Sequence, residues 1–137
     1  MIPDHDMLMH YWDLCGGNVQ SAEFNELANA AGVEQTGDFT AGNWKAVITP
    51  TSGKSLVVFS IMVASKVQAA YSITAFRLGT RFLGNVFFSS AAAFVEPVFL
   101  TISPPIRGVA DETVDVWCSA NTDDKEASVV ITYGEVV

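Results

Sequence analysis

From residue 43 onward the chain is a succession of short stretches of β-type patterning, separated by turn residues and never by a helical repeat. No other feature limits its possible folds as strongly. Asn43 to Thr49 sets Trp44, Ala46 and Ile48 against Lys45, Val47 and Thr49, and Pro50-Thr51-Ser52-Gly53 then supplies a turn. Ser55 to Ala64 is apolar on both faces and rich in Val and Ile, as a central strand should be. Gln68 to Leu78, Arg81 to Phe88 and Pro97 to Ser103 are each of strand length. Val114, Val116 and Cys118 share one face of a sixth run, and Val129, Ile131 and Tyr133 share one face of a seventh. Alternating runs without intervening helices predict an all-β, antiparallel sandwich of about seven or eight strands over 43–137.

The first 42 residues read differently, as an N-terminal arm followed by a short helix. Asp4 to Leu14 mixes Met7, Leu8, Met9, Tyr11 and Trp12 with polar residues, an apolar load that a free end does not carry into water. After Gly16-Gly17, Ser21 is placed to cap a helix that sets Phe24, Leu27, Ala28 and Ala31 on one face and stops at Gly32. Val33 to Gly42 has the composition of a connector. Met7, Leu8, Tyr11, Trp12, Phe24 and Leu27 are six large apolar side chains on a segment too short to build its own core. At about 1.5 to 3 kcal/mol for each buried side chain, leaving them wet forgoes on the order of ten kcal/mol, comparable to the net stability of a domain. They are candidate interface residues, with docking on the chain's own sandwich as the competing outcome. Trp117 joins them as a candidate. Alternation aims it away from Val116 and Cys118, so it belongs either to an interface or to a second covered face.

Chemistry-bearing patterns are sparse. Thr51-Ser52-Gly53-Lys54-Ser55 has the ending of a phosphate-binding loop, but Ile48 stands where the first Gly is needed and a β-rich run follows instead of a helix. Asp4, His5, Asp6 and His10 are possible metal donors, yet histidines five apart share a helix face poorly, so a solvated or interfacial role is expected. Cys15 and Cys118 lack the close pairing of zinc or redox motifs and are expected to be reduced, packed thiols. Asp111-Glu112 and Asp123-Asp124-Lys125-Glu126 place acids in two late loops, without the spacing of a calcium loop. With two His in the chain and no nucleophile paired to either, no catalytic residue, metal or cofactor is expected. Fifteen acidic against seven basic residues, net −8, disfavour nucleic acid and anionic membrane as partners. The opening residues have no basic n-region, and the apolar runs are too short for a bilayer, so synthesis in the cytoplasm is expected.

Four segments together carry a resemblance: Thr49-Pro50-Thr51-Ser52-Gly53-Lys54 before an apolar strand; Phe76-Arg77-Leu78-Gly79-Thr80; Pro104-Pro105-Ile106-Arg107-Gly108 before Val114-Asp115-Val116; and the closing Val130-Ile131-Thr132-Tyr133-Gly134-Glu135-Val136. Over residues 43–137 the chain resembles the small jelly-roll domains of tailed-phage head decoration proteins, head fibres and related virion proteins. It departs from them at Ala91-Ala92-Ala93, where that family is often richer in Gly and Asn. The resemblance implies a jelly-roll-like sandwich located in the virion, with no catalytic residues. It also implies a homo-oligomer, such as a trimer, or a lattice component that contacts the major capsid protein or a neck or tail protein. A receptor- or carbohydrate-binding module of a tail or fibre protein is the other function this architecture suggests.

Overall fold

Pro3 has no amide hydrogen to lose and a φ already set for a helix, so it suits the first turn of one. In the computed structural model, which describes residues 3–24, 34–35, 44–65, 72–88, 97–119 and 127–137, helix α1 spans Pro3–Leu14. Gly16 and Gly17, at φ 62° and 74°, terminate it in a conformation that costs a side-chain-bearing residue energy. The Gly17 amide donates to the Trp12 carbonyl at 3.1 Å, and the Val137 amide donates to the Leu14 carbonyl at 3.2 Å. The helix therefore lies before Gly16, and the arm expected there is helical. The helix expected from Ser21 is instead a strand as far as Phe24, while Leu27, Ala28 and Ala31 lie outside the described residues.

The strands are β1 Val19–Phe24, β2 Glu34–Gln35, β3 Lys45–Ile48, β4 Leu56–Ser65, β5 Ser72–Leu78, β6 Arg81–Phe88, β7 Val98–Arg107, β8 Val114–Ser119 and β9 Ala127–Glu135. One sheet has the order β1-β9-β4-β7, and the other runs β8-β5-β6 with both β3 and the two-residue β2 along the outer side of β8. Among the described residues all ladders are antiparallel except the short β2–β8 pair. Leaving out β2, the pairs β1–β9, β3–β8, β4–β7 and β5–β6 are nested one inside the next. A long antiparallel ribbon wrapped into two sheets has this order, which is that of a jelly roll. The seven runs expected over 43–137 are all strands, and β1 and β2 add to the sheets from the region expected to be appendage and connector.

The core between the sheets is built from Leu56, Val58, Ile61 and Val63 on β4, Val129 and Ile131 on β9, and Ile102 on β7. They meet Phe76, Leu78, Val86, Val114 and Val116 of the other sheet, with Ile48 at one margin. On β4 the inward set changes parity after Val58, because the ladders to both β7 and β9 slip between Val58 and Ser60. Val57, by alternation with Leu56 and Val58, and Phe59, at the bulge, lie on the outer face, where they need a cover. The strand is apolar on both sides for this reason.

Candidate functional site

The end of helix α1, the corner after it and the chain's last residues are the cover. Cys15, at the C-terminal end of the helix, and Tyr11, one turn earlier, pack on Val57 and Phe59 together with Val19 and Val136. The fit is tight at Gly134 of β9, opposite Val57 in register: a Cβ there would lie 2.7 Å from Cys15 Sγ and 3.2 Å from the Asn18 carbonyl oxygen. Burial pushes the Cys15 thiol above its ordinary range, with the positive charge of Arg107 acting the other way. Cys15 is free and buried, as expected of a packed thiol. Cys118 occupies a position in β8, and its side chain lies outside the described residues.

The flank of the helix beside Tyr11 is apolar too. Leu8 is 42 %, Met9 44 % and Trp12 43 % exposed, and the indole nitrogen of Trp12 lies over Gly17. On α1 Asp6, His10 and Asp13 are also exposed, and His10 makes an edge-to-face contact with Tyr11 at 5.6 Å between centroids. Of the candidate interface residues, Leu8 and Trp12 are brought together on this surface, while Tyr11 is half-buried beneath it. Met7 belongs to α1 and Phe24 stands opposite Val129 in β1, but their side chains, like all of Leu27, lie outside the described residues. Trp117 is 3 % exposed, so of its two expected placements the buried one is found, on a covered second face. There Arg77 donates through Nε to Asp115 at 2.9 Å, and its guanidinium lies 4.6 Å over the Trp44 ring. Met9 is the member of the surface that the candidate set omits; its place in the apolar run Met7-Leu8-Met9 was the available signal.

The end of the sandwich that carries the β3–β4, β5–β6 and β7–β8 connections is closed by its own carboxylates. Asp111, itself at φ 67°, accepts from the Gly53 amide at 2.6 Å. Glu112 accepts from the Val109 amide at 3.0 Å, faces Arg81 at 3.7 Å, and fills the space beside Gly79 and Gly108 where a Cβ would stand. Glu135 accepts from the Thr51 amide at 2.8 Å and from its hydroxyl at 3.3 Å. The Thr51–Ser55 segment is thus a turn before a strand, closed by the Lys54 amide donating to the Thr51 carbonyl, with acids lying on its amides. Asp111-Glu112 belongs to this end, and Asp123 to Glu126 lies outside the described residues.

An open cleft of about 350 Å³ lies between the α1–β1 corner and the β3–β4 turn, lined by Cys15, Asn18, Gln20, Lys54 and Glu135 among others. Its Glu135 is held by Thr51, and its thiol is the buried one. No helix among the described residues is long and apolar enough to cross a membrane. Compared with protein-family models and with curated proteins, the chain has no match in either.

Proposed function

We propose that the chain is a non-enzymatic structural protein of a tailed-phage virion, a capsid decoration or minor capsid or neck component that docks on another virion protein through the outward side of α1. The observation that carries this reading is the exposure of Leu8, Met9 and Trp12 on a helix whose inner side is already anchored by Tyr11 and Cys15. An apolar flank left exposed beside an anchored face is buried when a second body lies against it, and aromatic and Met side chains are typical of the centre of such contacts. The jelly-roll order of the strands and the resemblance of residues 43–137 to virion domains support the same reading. The alternative, a receptor- or carbohydrate-binding module, gains little from Asp111 and Glu112, since both carboxylates are engaged by the chain's own amides.

The test is quantitative mass spectrometry of purified particles from a phage encoding this chain, in native form and as Leu8→Ser/Trp12→Ser. The expected result is a stoichiometric component in the first case and a loss of about ten-fold or more in the second, with the circular dichroism of the isolated chain unchanged. Absence of the native chain from particles, or full incorporation of the variant, would falsify the proposal.

A further inference from the structure

Resting on the docking reading above, we infer that the partner of α1 presents an apolar groove rimmed on one side by at least two basic side chains about 10 Å apart, and is not a second copy of this chain. The helix geometry fixes the placement. At about 100° per residue, Leu8 and Trp12 lie within roughly 40° of each other and Met9 some 60° further round, while Tyr11 falls on the opposite side of Leu8. Asp6 and Asp13, both exposed, fall within about 20° of each other, next to Met9 and away from the sandwich. Seven residues separate them, two turns or about 10 Å along the axis. The apolar stripe therefore has an acidic border on its solvent side.

Nothing nearby in sequence balances that border. Residues 1 to 44 contain seven Asp and Glu and no Lys or Arg, the first basic residue being Lys45. The whole chain is at net −8. Two copies meeting antiparallel through α1 would bring acid against acid, and in either orientation each copy carries net −8, so like charge disfavours the pairing. A groove bordered by Lys or Arg at matching spacing converts the same border into attraction and sets the register of the helix along it. An anionic lipid surface is repelled for the same reason as a second copy.

The test uses the full chain and two synthetic amphipathic peptides with the same leucine pattern, one carrying lysines at its polar positions and the other glutamates, with binding read by fluorescence anisotropy. The native chain should bind the lysine peptide about ten-fold or more tightly than the glutamate peptide in low salt, with the preference shrinking as salt is raised. Asp6→Asn/Asp13→Asn should reduce the preference to about two-fold or less, whereas Glu23→Gln, an exposed acid on β1, should leave it intact. Leu8→Ser/Trp12→Ser should weaken both peptides alike. Equal binding of both peptides by the native chain, abolished by Leu8→Ser/Trp12→Ser, overturns the charge inference while the docking reading stands. A preference that survives Asp6→Asn/Asp13→Asn, or that Glu23→Gln removes equally well, overturns it too. Sedimentation showing self-association lost in Leu8→Ser/Trp12→Ser, or binding to vesicles of anionic lipid lost in the same variant, identifies the excluded occupants and overturns it as well.

Discussion

The two ends of the functional question lie on different parts of one small sandwich. At the loop end, Asp111, Glu112 and Glu135 turn inward onto backbone amides of neighbouring turns, so the polar groups there satisfy each other. Along α1, Leu8, Met9 and Trp12 are partly exposed although Cys15, which ends the helix, is fitted to β9 closely enough to require Gly134. The first region turns its carboxylates onto the chain's own amides; the second leaves apolar side chains partly exposed. Loops of a sandwich are the usual place to look for recognition, yet the docking proposal falls on the helix.

The inner seam of α1 is the place to break that contrast with the largest effect. Gly134→Ala puts a methyl group within 2.7 Å of Cys15 Sγ and should lower stability by roughly 2 to 3 kcal/mol in urea titration. Adding Cys15→Ala should recover only part of it, because the Asn18 carbonyl oxygen remains 3.2 Å away. Glu112→Ala, at the loop end, leaves the Val109 amide without its acceptor and a void beside Gly79 and Gly108, and should cost about 1 to 2 kcal/mol by the same measurement. Leu8→Ser/Trp12→Ser should leave the free chain folded at a cost of about 1 to 2 kcal/mol, since each side chain is a little over 40 % exposed and loses only part of a full burial.

A smaller effect sharpens the description of the seam. The folded chain holds the Cys15 proton to higher pH than the unfolded chain does, so the unfolded state ionises first as pH rises past about 8.5. The stabilisation is full below that value and is lost as pH climbs through the raised folded value. Cys15→Ala should therefore show a shallower alkaline loss of stability than the native chain, measured by denaturant midpoints across about pH 8 to 10.

The sandwich was legible because its strands announce themselves locally. Arg81–Phe88 is a strand over the very residues whose patterning predicts it, and the double-sided apolarity of β4 marks both its central place and the cover over its outer face. β1 was not legible. Ser21, Phe24, Leu27 and Ala28 carry helical spacing, and what overrides it is pairing with β9 more than a hundred residues away, where Ser21 meets Thr132 through their hydroxyls at 3.2 Å. Helix α1 escaped for the opposite reason: with apolar residues on its inner and outer sides it lacks a clean amphipathic period, and only Pro3 and Gly16-Gly17 punctuate it. The apolar surface itself was readable in Leu8 and Trp12, but the division of labour between them and Tyr11 was not, since it depends on where β4 puts Val57 and Phe59. Trp117 shows the same limit. Alternation set its side of β8 but not what covers that side.

Amide hydrogen exchange of the free chain and of the chain mixed with the virion particle on which the proposal places it separates the two regions in one experiment. Opening of α1 should be suppressed on assembly, so that the amides of residues 8 to 14 gain about ten-fold or more in protection, while those of 51 to 54 and 108 to 113 exchange as they do in the free chain. Protection gained at 108 to 113, with 8 to 14 unchanged, would place the contact on the carboxylate-closed end and contradict the account.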